Sequence, residues 1–349
     1  KNLNIDRFLS STLKSLEIIV NKIYKAGVGK PEEIFCVLSS PWHISQIRII
    51  KLQKNTFFTF NATLANDLIR KEIALFKEEY VEKYSNTDKQ VRLIEFKNIK
   101  TMLNGYETSS PLDQKTKEFE MTVFISVSSE HILNKIEDTI KKYFHFKNIK
   151  FSSFTLSSFA VARDMNINQK NFLLIDIGGE VTDISMVKKN VLHESVSFPL
   201  GRNFVTRGVS SALDCPLNEA QSCISLLQDG HATDSVIKKL KPLINKLQSE
   251  WLSLFQKSLA NLSNDIFIPS TIYLVTSKDL VDFFRKTIEA EQFNQYSLTE
   301  SKFKVVVLNT EIFHNMVTFE NDTIRDPSLI IDSIYINRFL TKSIGTEKI

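Results

Sequence analysis

The chain has 349 residues, enough for two domains or for one lobed domain that buries more than one core. Hydrophobic residues make up 42% and charged residues 24%, which excludes the disordered and low-complexity classes. Lys and Arg number 44 against 40 Asp and Glu, and a dispersed net charge of +4 leaves no nucleic-acid footprint.

Three cysteines, Cys36, Cys215 and Cys223, form no CxxC pair, and the six histidines show no zinc-ligand spacing. Neither a disulfide framework nor a metal framework is expected, and a reducing cytoplasm fits best. No apolar run approaches the roughly 20 residues that span a bilayer, and the opening KNLNIDRFLSS lacks the apolar core of a signal peptide. The chain opens on Lys1 rather than methionine, so a natural start further upstream is expected.

Asp6 can cap a first helix whose apolar residues Leu9, Leu13, Leu16, Val20 and Ile23 recur at three- and four-residue spacing, with Gly27 as its stop. EIFCVLSS follows as a buried-type strand, QIRIIKL as another, and Thr63 to about Tyr84 as a second amphipathic helix. Between them, Trp42 and His43 in SSPWHIS are read as a packed ring and a surface histidine, since no acid or nucleophile is visible beside them. From Val91 to about Ser128 the pattern becomes alternating, and EFEMTVFISVS places Phe119, Met121, Val123, Ile125 and Val127 on one face. A helix through Leu133, Ile136 and Ile140 and the strand NIKFSSFTL complete this part.

Asp176 ends the apolar run NFLLIDI, and Gly178 and Gly179 follow at once. Two glycines can take positive φ and bring backbone N–H groups close to an anion, while a carboxylate at a strand end suits a hydrated Mg²⁺. Thr182 could add a hydroxyl. The turn opens a strand rather than a helix, so it is not the dinucleotide fingerprint; VTDISMVKK, a tight turn at Asn190 and VLHESVSF make a meander. Helices are then expected at RNFVTRGVSSAL, NEAQSCISLL and from about Asp234 to Leu262, where Trp251 and Phe255 belong to the core. The strands TIYLV and FKVVVLN, the helix DLVDFFRKTIEA and a closing, buried helix in DPSLIIDSIYINRFL finish the chain.

The stretch LLIDIGGEVTDISMVKKNVLHESVSFPLGRNFVTRGVSSALDCPLNEAQ resembles the second phosphate hairpin of the actin-like ATPases, in particular the FtsA and PilM families. PLGRNFVTRGVSSALDCPLNEA is similar to the FtsA run of glycine, helix, Thr-Pro-Leu and Glu-Glu-Ala. The resemblance implies an α/β, actin-like (ribonuclease H-like) two-lobed ATPase fold with an inserted SHS2-type α+β module. The implied domains are a first lobe at 1–55 and 151–170, the SHS2-type module at 56–150, and a second lobe at 171–230 and 270–349 around a helical subdomain at 231–269.

The resemblance further implies that Asp176, Gly178, Gly179 and Thr182 face the phosphates of ATP, with Asp176 at Mg²⁺. Gly201 would lie near the nucleotide, and Glu219 near the ribose or adenine. Several positions depart from the families: Glu180 and Val181 replace glycine and threonine, Ile224 stands where a nucleotide-contacting lysine is expected, and Thr276, Ser277 and Lys278 replace the adenosine loop's glycines. A side chain forced into a left-handed conformation there costs on the order of 1–2 kcal/mol, so the pocket should be narrowed. The first phosphate hairpin would precede the helix near Asp6.

The implied function is a cytoplasmic scaffold of a bacterial division or type IV pilus apparatus, one that could be recruited to the inner face of the membrane. It would work by self-association and docking of other protein chains, with no nucleic acid, at most indirect membrane contact, and weakened or lost ATP binding. Alternatives are a nucleotide-independent structural protein, a slow Mg-ATPase once the missing N-terminal segment is present, and, less readily, a sugar kinase.

Overall fold

A computed structural model describes residues 5–27, 29–84, 90–145, 149–165, 168–262, 267–290, 302–320, 323 and 325–340. The chain divides into two compact units, one up to Leu156 and the other from Ser157 onward. Among the described residues no helix is long and apolar enough to cross a membrane.

In the first unit, α1 (Ile5–Lys25) is followed by β1 (Ile34–Leu38), a long β2 (Ile44–Phe60), α2 (Ala62–Tyr84), β3 (Val91–Leu103), the short β4 (Tyr106–Glu107), β5 (Gln114–Ser129), α3 (Glu130–Lys141) and β6 (Ile149–Ser153). The strands β2, β5, β3 and β4 form an antiparallel sheet in that order, while β1 pairs in parallel with β6. Strict alternation along β5 turns Phe119, Met121, Val123, Ile125 and Val127 to one side, where they meet Phe76 and Ala65 of α2. Asn61 caps α2 by accepting the Leu64 N–H at 2.9 Å, and Arg48 ties the helix to the edge strand through Glu72 and both carboxylate oxygens of Glu79. Asn104 and Gly105, at φ 48° and 82°, make the tight β3–β4 hairpin that an Asn-Gly pair favours. A second cluster joins Leu9 and Val20 of α1, Leu38 of β1 and Leu133, Ile136 and Ile140 of α3. Ile23, expected on the packed stripe of α1, is 45% exposed beside Ile19.

Trp42 stacks on Phe8 with ring centroids 4.8 Å apart, as packing predicts. His43 differs from expectation: it is buried, with Nε2 3.4 Å from the Thr155 hydroxyl, a residue 112 positions away. A surface assignment failed because that neighbour is invisible to local pattern.

The second unit is a five-stranded sheet in the order β11-β10-β7-β8-β9. The helix α4 (Phe154–Met165) leads to β7 (Phe172–Ile177), β8 (Thr182–Lys188) and β9 (Val191–Phe198), an antiparallel meander. Then follow α5 (Arg202–Leu213), α6 (Leu217–Gln228), α7 (Asp234–Leu262), β10 (Thr271–Val275), α8 (Val281–Ala290), β11 (Lys304–Val307) and α9 (Pro327–Tyr335); β10 lies parallel to both β7 and β11. Leu173, Ile175, Ile177, Ile184 and Met186 form one sheet face against α5 to α8. Trp251 of α7 is fully buried there, stacked on Phe255 at 5.0 Å and edge-on to Phe198 at 5.7 Å. Gly208 lets α7 come close to α5, since a Cβ there would stand 2.8 Å from the Leu247 side chain. Ile330, Ile331, Ile334 and Tyr335 of α9 are buried, as the closing helix was expected to be.

Burial lowers the His43 pKa from 6.5 to about 4, so the folded first unit holds this imidazole neutral. The stability this provides is complete above pH 6.5 and is lost as pH falls toward 4. Between pH 7.5 and 5 denaturant titrations should show a loss of about 2 kcal/mol from this group, absent in His43→Gln. Equal pH slopes in both proteins would place the titration elsewhere.

Candidate functional site

The turn between β7 and β8 is Gly178-Gly179-Glu180-Val181, closed by the Gly178 N–H donating to the Val181 carbonyl at 3.0 Å. Positive φ belongs to Gly27, Gly29, Gly105 and Gly230 and to neither glycine of this turn, so the expected left-handed geometry is not what selects them. Room selects them: a Cβ on Gly179 would stand 3.1 Å from the Asn203 side-chain nitrogen, and one on Gly178 3.3 Å from the Val181 oxygen.

The stronger demand falls on Gly201, the cap of α5. A Cβ there would lie 2.5 Å from the Gly178 oxygen and 2.6 Å from the Gly179 oxygen. That contact exists because the first N–H groups of α5 are satisfied by the turn itself: Arg202 donates to the Gly178 carbonyl at 2.9 Å and Asn203 to the Gly179 carbonyl at 2.8 Å. In a planar trans peptide the N–H points opposite to the preceding C=O. The N–H groups of Gly179 and Glu180 therefore face away from α5, and among the described residues neither has a hydrogen-bond partner. Two successive N–H groups on one side, from half-buried residues, are the donor set of an anion nest.

Glu180 sends its side chain back to α5. Arg207 grips both carboxylate oxygens at 2.7 and 2.8 Å, and the Asn203 amide adds a third bond at 3.0 Å. Burial opposes the charged form of Glu180, but these donors outweigh it and hold the carboxyl below its usual range.

Asp176 and Asp183 are cross-strand partners on β7 and β8, so their side chains share a face. Asp332 of α9 belongs to the same electrostatic neighbourhood and accepts a hydrogen bond from the Ser157 hydroxyl at 2.7 Å. Burial, then Asp183 and Asp332, push the Asp176 carboxyl well above the carboxylate range; Arg202 pulls the other way. A carboxyl in that state takes a divalent cation only by giving up its proton. Among the described residues no group of three or more His, Cys, Asp or Glu has the arrangement to hold a metal ion.

Thr182 is fully buried; its hydroxyl donates to the Leu200 carbonyl at 2.7 Å and accepts from the Trp251 indole at 3.2 Å. Glu219 is exposed in the first turn of α6. Ile224, where the resemblance led to the expectation of a lysine, is 2% exposed and part of the core. Ser277 has φ −69° and ψ 149°, so no left-handed strain arises after β10. Instead the Thr276 hydroxyl donates to the Ile177 carbonyl at 3.3 Å, and Gln221 of α6 hydrogen-bonds Asp279 beyond the loop. The residues present thus fit an anion at the turn, while protein contacts occupy the α6 and β10 side.

Arg202, Asn203, Arg207, Asp183 and Asp332 were missed from the sequence. Asp183 was legible, since a hairpin about a four-residue turn sets it opposite Asp176.

Two expectations follow. Gly201→Ala should destabilise the protein by about 2–4 kcal/mol in a denaturant titration, because a carbonyl oxygen cannot yield as a flexible side chain does. The Asp332 carboxyl, raised by burial from 3.8 to about 7, favours the fold fully below pH 3.8, and that contribution disappears as pH rises through 7. Asp332→Asn keeps the acceptor for Ser157, so its melting temperature should gain on the wild type from pH 5 to pH 8; parallel curves would contradict the burial of this charge.

No family model matches the sequence, and no curated protein matches it. Solved structures do. A PilM-PilN type IV pilus biogenesis complex superposes with a TM-score of 0.57 at 13% identity, over 92% of this chain and 84% of that one. MreB 5 of Spiroplasma citri bound to AMPPNP gives 0.37 at 12% identity over 62% and 67%, and Ta0583, an archaeal actin homolog, 0.37 at 10% over 71% and 99%. The last two overlap too loosely to carry an argument, and at 13% identity the first speaks to the fold alone. The chain has the actin-like α/β fold.

Proposed function

We propose that this chain is an actin-like scaffold of the PilM type, acting by self-association and by docking other protein chains in a pilus or division apparatus, with weakened or lost ATP binding. The observation that carries the reading is the contrast between the two sides of the site. The turn keeps its outward N–H pair, while Ile224 sits in the core and Gln221 joins Asp279 on the side a nucleoside would occupy. Support for partner docking comes from likeness over 92% of the chain to a structure described as a complex of PilM with PilN. The antiparallel sheet of β2 to β5 with α2 is taken as the SHS2-type module and as the docking surface. The protein is cytoplasmic in this reading and meets a membrane only through its partners.

A second reading, a slow Mg-ATPase, is favoured by one observation, the N–H groups of Gly179 and Glu180, which have no partner among the described residues and follow the strand that carries Asp176. Asp176 would then hold Mg²⁺ and the turn's amides the phosphate charge; bound Mg-ATP would supply the transferable phosphoryl group. This chain's own contribution would be to fix those amides against α5.

Sedimentation across a concentration series, with and without Mg-ATP, separates the two when paired with calorimetry on wild type and Asp176→Ala. The scaffold reading expects concentration-dependent association that persists without nucleotide, and weak or equal heats in both proteins. A chain that stays monomeric throughout and binds Mg-ATP tightly, with that heat lost in Asp176→Ala, would replace it with the second reading.

A further inference from the structure

A glycine turn whose N–H groups await an anion is ordinarily among the least stable parts of a domain, because its backbone gains order only when the ligand arrives. This turn is tied down residue by residue. Gly178 and Gly179 give their carbonyls to the Arg202 and Asn203 N–H groups, and Glu180 gives its carboxylate to Arg207 and Asn203. Asn203 and Arg207 lie one helical turn apart on α5, so both reach the same carboxylate from one face. The Glu180 side chain is 11% exposed and the Arg207 side chain 52%. An exposed ion pair is worth little, but this one has a largely buried acid, bidentate geometry and a third donor. Folding the carboxylate toward α5 also removes a negative charge from the side where the Gly179 and Glu180 amides point.

We infer that Glu180 and Arg207 form a built-in latch that orders the glycine turn without any ligand, so that the turn keeps one conformation whether or not an anion rests on its amides. Arg207 is a positioning residue in this arrangement: it acts on the turn through Glu180. The consequence, an assembly with no nucleotide switch at this hairpin, deepens the proposed scaffold function and rests on it, whereas the latch can be tested without it.

The test is hydrogen exchange on the full chain, followed in peptides that carry the bonded amides of Gly178, Arg202 and Asn203. Wild type, Arg207→Ala, Glu180→Gln and the reversed pair Glu180→Arg with Arg207→Glu are compared alone, with Mg-ATP and with inorganic phosphate. The latch predicts slow exchange in the wild type that neither addition changes. Each single variant should exchange about three- to tenfold faster at these amides, with peptides of the β10–β11 pair unaltered, and the reversed pair should recover most of the protection. Glu180→Gln is nearly isosteric, so its result stands even if Arg207→Ala disturbs packing. Wild-type amides that exchange at open-loop rates and slow only when Mg-ATP or phosphate is added would overturn the inference. So would single variants indistinguishable from wild type, or a reversed pair that behaves like the singles. A failure of the scaffold reading shows in sedimentation and leaves these rates to be read separately.

Discussion

Two hydrogen bonds, from the first N–H groups of α5 to the carbonyls of Gly178 and Gly179, govern the rest of the second unit's candidate site. A helix start leaves several N–H groups without intrahelical partners, and here the β7–β8 turn supplies the acceptors that a Ser or Asp cap would otherwise provide. The approach is so close that position 201 has no space for a side chain. Once those carbonyls are committed, peptide planarity leaves the Gly179 and Glu180 amides no direction but the opposite one. The end of the same hairpin is fixed from below, where Thr182 links the Leu200 carbonyl to the Trp251 indole in the core.

Charge is sorted by the same geometry. Alternation along β7 and β8 sends Asp176 and Asp183 to one sheet face, where burial and then the nearby Asp183 raise the Asp176 carboxyl, while Ile175, Ile177 and Ile184 fill the other. Glu180 lies outside the strands and escapes that alternation. It turns instead to a helix that offers a guanidinium, and stays ionised. The two kinds of carboxyl, a few residues apart in sequence, owe their opposite states to which neighbour the backbone lets each one reach.

Much of the fold was legible because it depends on periodicity. Phe119 to Val127 on one face of β5, the meander around Asn190 and the helices α5 to α7 all follow from spacing alone. The site was legible in part. The candidate turn at Asp176 and the glycines was picked out by residue type, but its geometry was not: neither glycine takes positive φ, and their close neighbours are the Val181 oxygen for Gly178 and the Asn203 side chain for Gly179. The fully satisfied Thr182 hydroxyl, the buried His43 and the Glu180–Arg207 pair depend on partners 69, 112 and 27 positions away, and no local pattern encodes such contacts.

The turn and the side formed by α6 and the residues after β10 answer to different constraints. The turn is built from backbone groups that the fold itself uses: without the Gly178 and Gly179 carbonyls, α5 loses its cap, and without Gly201 it cannot approach the sheet. The opposite side is made from side chains of α6 and the residues after β10, and these can be turned to packing without disturbing any strand. Ile224 enters the core, Thr276 braces Ile177, and Gln221 holds Asp279. Gly201 and the two carbonyls it faces are therefore used by the architecture whether or not a nucleotide is bound. Their presence in a chain is evidence of the fold, and evidence about the ligand has to come from the side chains that face it.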